Sequence, residues 1–262
     1  MGEKELSESF DKEANDYDTN TSTFHHMISE YVIFNNLEDQ LKNYKQPRIL
    51  DAGCGTGKFA IKLLKKNYTV DLLDISEKSL SIAKNKLIKE KLQANTYLGS
   101  CENTPFFDKS YDFVMLNGAV ISYTPNPIAL LQEINRILSS EGIIWFDFFN
   151  TVGWAIEITD INYKSEVAEA DNKLIQMPDW DYPARVMSLN YVRKILNENN
   201  FNIINEFGLI NLSHSINLDE RYSNNIDNDI VDKYKNIELQ LSKNKEMIGS
   251  AWSCIICAKK IV

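Results

Sequence analysis

The stretch that most constrains this 262-residue chain runs from Ile49 to Ala60 and reads Ile-Leu-Asp-Ala-Gly-Cys-Gly-Thr-Gly-Lys-Phe-Ala. Two branched apolar residues precede an acid, three glycines follow at alternate positions, and a helical pattern begins after them, which predicts a strand, a tight turn and a helix. Glycine permits positive φ and has no Cβ, so a ligand can approach the backbone closely. The helix that follows directs free N–H groups and the positive end of its dipole at the turn. The stretch therefore predicts a binding site for a polar, partly anionic small molecule over Gly53–Gly57.

The spacing of the glycines decides between ligand classes. A dinucleotide-binding turn has the pattern G-x-G-x-x-G, and the phosphate loop of NTPases has G-x-x-x-x-G-K-[ST]. Here the glycines at 53, 55 and 57 are spaced G-x-G-x-G, Lys58 comes too early for the NTPase loop, and Phe59 stands where that loop needs a hydroxyl. Neither phosphate-binding pattern fits.

The pattern D-x-G-x-G-x-G, which begins at Asp51, resembles the first motif of the class I S-adenosylmethionine-dependent methyltransferases. The resemblance implies S-adenosylmethionine as the cofactor, a ligand with a carboxylate and an ammonium in place of a pyrophosphate. The cofactor-binding residues that it predicts in this motif are Asp51, Gly53, Cys54, Gly55 and Gly57. The alternative is a glycine-rich strand–helix turn that binds no ligand.

Composition limits the function classes. The length fits one large domain or one and a half, and the 44% apolar content suffices for a buried core. There is no apolar run of about 18 residues, as a membrane span requires, and no charged-then-apolar start like that of a signal peptide. The 28 basic and 37 acidic residues give a net charge of −9, which argues against a broad nucleic-acid-binding surface.

The four cysteines indicate a reducing compartment rather than a disulfide framework. One of them, Cys54, lies in the glycine turn, so we expect a cytoplasmic protein. Cys254 and Cys257 have a spacing found in zinc sites, but they lie in an apolar strand-like run with no second pair. Buried strand cysteines are the preferred interpretation, and no metal site is predicted.

The first 46 residues predict two helices, one over Glu8–Tyr17 and one from Phe24 to about Tyr44. The first carries a pattern that resembles the F-D-x-x-A-x-x-Y-D opening of many small-molecule methyltransferases, formed by Phe10, Asp11, Ala14, Tyr17 and Asp18. The resemblance implies that these helices form a lid and that Tyr17 borders the methionine end of the cofactor. The alternative for Tyr17 is a packing role.

Two further segments provide cofactor candidates. The predicted strand Thr69–Asp74 ends in an acid 23 residues after Asp51, and a carboxylate at that point can accept hydrogen bonds from both hydroxyls of a ribose. Asp74 and the following Ile75 are therefore assigned to the cofactor.

The segment from Gly99 to Phe106 resembles the G-D-A-x-x-L-P-F segment of the same superfamily, in which the residue after glycine holds the adenine amino group. Here that residue is Ser100, whose hydroxyl lacks the charge of a carboxylate. Cys101 is expected to present its backbone N–H to the ring. Glu102 completes the predicted set, although its side chain is expected to face solvent.

The fourth predicted strand, Tyr111–Gly118, is almost continuously apolar, as a strand buried on both faces must be. It leads into a loop at the carboxyl edge of the sheet, where ligands collect, so Asn117 and Gly118 join the cofactor set. The Asn/Asp-Pro-Pro-aromatic tetrad of enzymes that methylate base amino groups is absent from this loop, which disfavours DNA adenine-type chemistry.

A general base is needed only if the acceptor is protonated at neutral pH. The candidates are His25, His26, Tyr123 and Asp147, with Asn150 and His214 as further possibilities. No catalytic residue is assigned among them.

Strands separated by helical patterns predict an α/β fold, a Rossmann-like doubly wound sheet of seven strands, mostly parallel with the last strand antiparallel. We expect a single domain. Its predicted parts are a helical lid at 1–46, a core at 47–149, 186–210 and 249–262, and two substrate-cap insertions at 150–185 and 211–248.

The sequence thus predicts a methyltransferase that transfers a methyl group to oxygen, nitrogen or carbon of a small, partly aromatic or apolar acceptor. It resembles the ubiquinone/menaquinone-methyltransferase-like branch. Two other hypotheses stay open: a cofactor-binding module or sensor without turnover, and a methyltransferase acting on RNA or protein. The net charge disfavours nucleic acid, and the sequence makes no prediction of oligomeric state.

Overall fold

Short apolar runs form five parallel strands at the centre of the computed structural model, which describes residues 2–158, 160–176, 182–213 and 227–261. They lie side by side in the order β3-β2-β1-β4-β5. Their bounds are β1 Arg48–Ala52, β2 Thr69–Asp74, β3 Thr96–Leu98, β4 Tyr111–Leu116 and β5 Leu138–Asn150. Because both faces of the inner strands are covered, neighbouring residues such as Ile49 and Leu50 are both buried.

Two long strands extend the sheet on the far side of β5. The last strand, β9 (Ser253–Lys260), pairs antiparallel with β5 from Ile143 to Phe149, and β8 (Phe201–Leu209) pairs antiparallel with β9. Cys254 and Cys257 lie in β9 and are fully buried, as predicted. The sheet is therefore mostly parallel, with an antiparallel strand where the sequence predicts one.

The described residues contain nine strands, so the prediction of seven is wrong in number. The two additional strands, β6 (Asn172–Ile175) and β7 (Ala184–Met187), form an antiparallel hairpin within the region interpreted as an insertion. β7 joins the sheet through only two residues at the end of β5, Phe149 and Asn150. Strands of four residues with an exposed Leu174 have too weak an apolar alternation to be recognised in the sequence.

Eleven α-helices and one 3-10 helix (Ile248–Ser250) form from the described residues. The α-helices are α1 Glu3–Glu13, α2 Tyr17–Asn20, α3 Phe24–Leu41, α4 Lys58–Lys65, α5 Glu77–Glu90, α6 Val120–Tyr123, α7 Pro127–Ile137, α8 Thr151–Glu157, α9 Ile161–Ala168, α10 Leu189–Glu198 and α11 Asn228–Leu241. None of the described helices is long and apolar enough to cross a membrane.

The helices cover the sheet in two layers. Apolar residues of α3, α4, α5 and α11 pack on one face, against side chains such as Ile49 and Phe113. Residues of α6, α7 and α10 pack on the other face, against Leu50 and Val114. This alternation of successive side chains between two cores makes the fold an α/β sandwich of three layers.

Local signals set several helix ends. The Ser76 hydroxyl accepts a hydrogen bond from the Ser79 N–H and so caps α5, and the Asn126 side chain caps α7, which begins at Pro127. The helix predicted over Glu8–Tyr17 is instead divided into α1 and α2. The helix predicted to reach about Tyr44 ends at Leu41.

Candidate functional site

The carboxyl ends of β1, β2 and β4 border a cavity of about 810 Å³ that is open to solvent, here called the first cavity. Its floor comes from the turns that follow these strands, and its roof comes from α1 and α2. The floor residues include Gly53, Gly55, Asp74, Ile75, Ser100, Cys101, Asn117 and Gly118. The roof residues are Glu3, Leu6, Phe10, Glu13, Ala14 and Tyr17.

The three glycines of the β1–α4 turn all have positive φ, but they have different surroundings. A Cβ on Gly53 would lie 2.5 Å from Val120 Cγ2, and one on Gly57 would lie 3.2 Å from the Ala83 Cβ in α5. A Cβ on Gly55 would meet no described heavy atom within 4 Å. Gly53 and Gly57 therefore allow close packing of the protein, whereas Gly55 leaves backbone open to the first cavity.

Asp74 ends β2 with its carboxylate turned toward this turn. One oxygen accepts a hydrogen bond from the Gly55 N–H at 2.7 Å and the other accepts one from the Ser76 N–H at 2.8 Å. Burial raises the pKa of this carboxyl, against the lowering effect of its backbone hydrogen bonds. Each carboxylate oxygen has further lone pairs, so neighbouring hydroxyls of a ligand can also be accepted.

Polar contacts hold the roof helices over the first cavity. The Ser7 hydroxyl donates to the Ile75 carbonyl at 2.9 Å, and Asp11 accepts hydrogen bonds from the Ser76 hydroxyl and the Lys78 N–H. Asp18 accepts a hydrogen bond from the Thr56 hydroxyl at 2.7 Å. The roof is thus fixed to the same turns that form the floor.

A second cavity of about 900 Å³ lies beside the first. Aromatic side chains cover much of its wall, namely Phe10, Tyr17, Phe59, Tyr123, Phe149, Tyr182 and Trp252. Polar groups also line it, namely Thr21, His25, His26, Ser29, Glu30, Lys58 and Asp147. Phe10, Tyr17, Gly118 and Tyr123 line both cavities, so the two meet at these residues.

The backbone at this meeting point is held by Asp147 from β5. Its carboxylate accepts hydrogen bonds from the Gly118 N–H at 2.8 Å and the Ala119 N–H at 3.0 Å, and both of these residues have positive φ. Burial raises the pKa of Asp147 to about 6, opposed by these two hydrogen bonds. The carboxylate stabilises a left-handed turn that includes the non-glycine residue Ala119.

The polar end of the second cavity is formed by α3 and the start of α4. The His26 Nδ1 lies 2.7 Å from the Thr23 hydroxyl, and burial, with a contribution from Lys58, lowers the pKa of His26 to about 4. Lys58 forms an ion pair with Glu30 at 2.9 Å. At neutral pH this end therefore contains a neutral imidazole and a paired ammonium.

Comparison with known proteins agrees with this geometry. Residues 49–142 match the model of the methyltransferase domain family. A malonyl-[acyl-carrier protein] O-methyltransferase of Ilyobacter polytropus is 27% identical over 209 residues, which cover 76% of this chain and 70% of that protein. An S-adenosylmethionine-dependent methyltransferase of Methanosarcina mazei superposes with a TM-score of 0.59 at 18% identity, over 85% of this chain and 97% of that one. A second S-adenosylmethionine-dependent methyltransferase, from Clostridium acetobutylicum, superposes with a TM-score of 0.57 at 16% identity, over 91% of this chain and 92% of that one.

The chain is an S-adenosylmethionine-dependent methyltransferase. Its mostly parallel sheet has the Rossmann-like fold of the solved methyltransferases, and S-adenosylmethionine is its cofactor.

The first cavity of the methyltransferase fits this cofactor chemically. Gly55 exposes backbone to it, and Asp74 offers a carboxylate at its floor. The Asn117 Oδ1 accepts a hydrogen bond from the Trp145 indole at 3.0 Å, which orients the amide, while its buried Nδ2 has no partner within the described part of the chain. A buried donor without a partner is expected where a ligand supplies the acceptor.

Nine of the thirteen predicted cofactor residues line the first cavity of the methyltransferase: Tyr17, Gly53, Gly55, Asp74, Ile75, Ser100, Cys101, Asn117 and Gly118. The Ser100 hydroxyl already donates to the Glu3 carboxylate and accepts a hydrogen bond from the Glu102 N–H at 3.1 Å. Ser100, which replaces the carboxylate usual at this position, therefore contacts Glu3 in the roof of the cavity.

The other four predicted residues do not line the cavity. Asp51 is buried in β1, and burial raises its pKa to about 8, opposed by the backbone of Ala60. Cys54 is a buried thiol, and Gly57 begins α4. The side chain of Glu102, expected to face solvent, accepts hydrogen bonds from the Thr124 hydroxyl and the Asn126 N–H and so ties two loops together.

All four general-base candidates, His25, His26, Tyr123 and Asp147, line the second cavity of the methyltransferase. The Asn150 side chain instead donates to the carbonyls of Gly249 and Ala251, a structural role. His214 lies outside the described residues. Tyr182, Trp252 and Lys58 were not predicted as parts of the cavity wall, because no local pattern connects them with residues so distant in the chain.

Proposed function

We propose that the methyltransferase transfers a methyl group to oxygen, nitrogen or carbon of a small molecule bound in the second cavity. The observation that carries this proposal is the meeting of two cavities at Phe10, Tyr17, Gly118 and Tyr123. A methyl donor in one cavity and an acceptor in the other would approach each other there. Holding two reactants in a defined geometry is the main contribution a protein makes to such a transfer.

In this proposal the first cavity holds the cofactor along the strand ends. Asp74 accepts hydrogen bonds from the ribose, Ser100 and Cys101 border the adenine, and Asn117 and Gly118 lie at the methionine end with Tyr17. Helices α1 and α2 act as the lid, since their side chains form the roof of the cavity. The insertions at 150–185 and 211–248 act as caps, which Tyr182 of the first insertion supports by lining the second cavity.

The bound cofactor supplies an activated methyl group on a positively charged sulfur. The chain's own contribution is to align the acceptor and, through the aromatic wall of the second cavity, to reduce its contact with water. His26, with its pKa lowered to about 4, is a poor general base at neutral pH. His26 is therefore not assigned as a base, and an acceptor atom that has a free lone pair at the moment of transfer needs none.

The second cavity supports turnover over the alternative of a binding module without activity, because a sensor needs no acceptor site. Its lining by residues of α3, β5 and β8, together with Trp252, favours a small acceptor over RNA or a protein. The Ilyobacter relative is named for malonyl-[acyl-carrier protein] as its acceptor, and this acceptor is not assigned to the present chain. Membership in the ubiquinone/menaquinone-methyltransferase-like branch stays a prediction.

The four cysteines are free thiols, three of them buried, which supports a reducing compartment. We accordingly propose a cytoplasmic location.

Calorimetric titration with S-adenosylmethionine and S-adenosylhomocysteine tests the cofactor site. Asp74→Ala is expected to weaken binding about 10- to 100-fold, because hydrogen bonds to a charged group contribute roughly 1.5–3 kcal/mol. Glu77→Ala, an exposed acid three residues further on, is the matched control and should bind as wild type. Undiminished binding by Asp74→Ala would refute the assignment of the first cavity.

Turnover is tested by the formation of S-adenosylhomocysteine and methylated product across a panel of small acceptors. Cofactor binding without product from any acceptor would favour the non-catalytic module instead.

A further inference from the structure

The charges that line the two cavities are strongly one-sided. Five carboxylates lie in their walls: Glu3, Glu13, Glu30, Asp74 and Asp147. Lys58 is the one lysine or arginine among the described residues that line either cavity. Burial lowers the pKa of His26 to about 4, so this histidine of the second cavity adds no positive charge at neutral pH.

Lys58 has no donor left for an anion. Its ammonium donates to the Thr21 carbonyl at 3.1 Å and to the Thr21 hydroxyl at 3.2 Å, and it pairs with the Glu30 carboxylate at 2.9 Å. An ammonium has three N–H donors, and these contacts use all three. An acidic acceptor would therefore enter the second cavity without a free cation to pair with it.

The junction between the cavities lies in a negative field. Burial, followed by the carboxylates of Asp147 and Asp74, raises the pKa of the Tyr17 phenol. Burial also raises the pKa of Tyr123, with Tyr182 and Tyr17 and then Glu13 and Asp147 adding to the effect. Removing a proton from either phenol is disfavoured first by burial, and nearby carboxylates add to this because they repel the new negative charge.

Aromatic faces surround the same point. The Phe10 ring lies 4.9 Å from the Tyr182 ring, and the Tyr123 ring lies 5.2 Å from Tyr182 and 5.6 Å from Phe149. The Tyr182 hydroxyl donates to the Glu13 carboxylate at 3.1 Å. Aromatic faces attract cations electrostatically, and this attraction grows when the site is shielded from water.

We infer that the acceptor is an amine carried on an aromatic or apolar group, and that the second cavity discriminates against carboxylate acceptors. This inference rests on the proposed function and names its substrate class. An alkylamine enters as its ammonium form and loses one proton to water through the open cavity, which leaves a neutral amine. The nitrogen lone pair then forms a bond to the methyl carbon while the carbon–sulfur bond breaks with its electron pair going to sulfur. The positive charge thus moves to nitrogen, where Glu13, Asp74, Asp147 and the aromatic faces stabilise it, and the proton of the methylated amine is then lost to water.

Equilibrium binding to the protein saturated with S-adenosylhomocysteine tests the inference, because no turnover occurs in that complex. The probes are two matched series: 2-phenylethylamine, 2-phenylethanol and 3-phenylpropanoate, and tryptamine, tryptophol and indole-3-propanoate. Calorimetry is expected to show each amine binding at least about tenfold more tightly than the carboxylate of its series. Glu13→Gln is expected to reduce that preference about fivefold, since it removes one nearby charge but keeps an acceptor for Tyr182.

Glu8→Gln, an exposed acid on the same helix, is the control and should leave the preference unchanged. Equal or tighter binding of the carboxylates overturns the inference, and so does binding by none of the six probes. In both cases binding of S-adenosylhomocysteine shows that the proposed function still stands. If S-adenosylhomocysteine itself fails to bind, the proposed function is contradicted and the inference fails with it.

Discussion

Gly53 and Gly55 offer a matched pair of alanine substitutions within one turn. Both residues have positive φ, +77° and +52°, so an alanine at either position carries the left-handed cost of roughly 1–2 kcal/mol. They differ in what a new Cβ would meet. At Gly53 it would lie 2.5 Å from Val120 Cγ2 and 3.1 Å from Cγ1, whereas at Gly55 it would face space free of described atoms for 4 Å.

The two substitutions therefore have different expected magnitudes. For Gly53→Ala, overpacking against Val120 adds about 1–3 kcal/mol, so the unfolding free energy should fall by roughly 2–5 kcal/mol in total. For Gly55→Ala the loss should be only about 1–2 kcal/mol, from the backbone alone. The Cβ that Gly55→Ala introduces would, however, occupy space in the first cavity, and we expect it to weaken S-adenosylhomocysteine binding about tenfold or more, equivalent to about 1.4 kcal/mol.

Urea unfolding measures the first quantity for both variants, and calorimetric titration measures the second for Gly55→Ala. The expected pattern is a large stability loss at 53 and a small stability loss with weak binding at 55. If Gly55→Ala bound the ligand as tightly as wild type, the open space above Gly55 would not be the cofactor site. A larger stability loss at 55 than at 53 would refute the role of Val120.

Two further substitutions test the buried acids. Burial raises the pKa of Asp51 to about 8, above its value of about 4 in an unfolded chain, so the native state binds more protons in that window and loses stability as the pH rises through it. The side chain of Asp51→Asn resembles the protonated carboxyl, so this variant should not show the loss of about 1.4 kcal/mol per pH unit. Urea unfolding at several pH values measures the loss, and identical pH profiles for the variant and the wild type would contradict the raised pKa of Asp51. Asp147→Asn places an amide donor against the Gly118 or Ala119 N–H. It should therefore lower the unfolding free energy by about 1–3 kcal/mol and slow methyl transfer. Unchanged stability in urea would show that the turn does not depend on this carboxylate.

Most residues that line the first cavity could be predicted from the sequence because their signals are local. The strand predicted at Thr69–Asp74 has those bounds in the structure, and Ser76 caps the following helix. Gly53, Gly55 and Asp74 lie within 22 positions of the chain and meet because β1 and β2 are adjacent parallel strands. A strand, a turn and a helix in sequence fix where such residues go.

The wall of the second cavity could not be predicted in the same way. Tyr182 contacts Tyr123, and Trp252 contacts Phe149, only after the sheet has formed. Tyr182 lies between strands β6 and β7, whose sequences show no clear alternation of apolar and polar residues. From the sequence, the position of Lys58 argues only against a phosphate loop. Its ion pair with Glu30 could not be predicted, because it depends on how α3 packs beside α4. Contacts of this kind arise from tertiary packing and leave no periodic pattern in the sequence.

In the proposed function the two substrates are bound by parts of the chain that can vary independently. The floor of the first cavity comes from strand ends close together in the chain, whereas the wall of the second comes from α3, β5, β8 and residues 182 and 252, which are distant in the chain. The acceptor wall can therefore change by substitutions in separate segments without disturbing Asp74 or Gly55. A relative at 27% identity can in this way share the cofactor while taking a different acceptor. Only Phe10, Tyr17, Gly118 and Tyr123 belong to both cavities among the described residues, so substitutions there should affect the binding of cofactor and acceptor together.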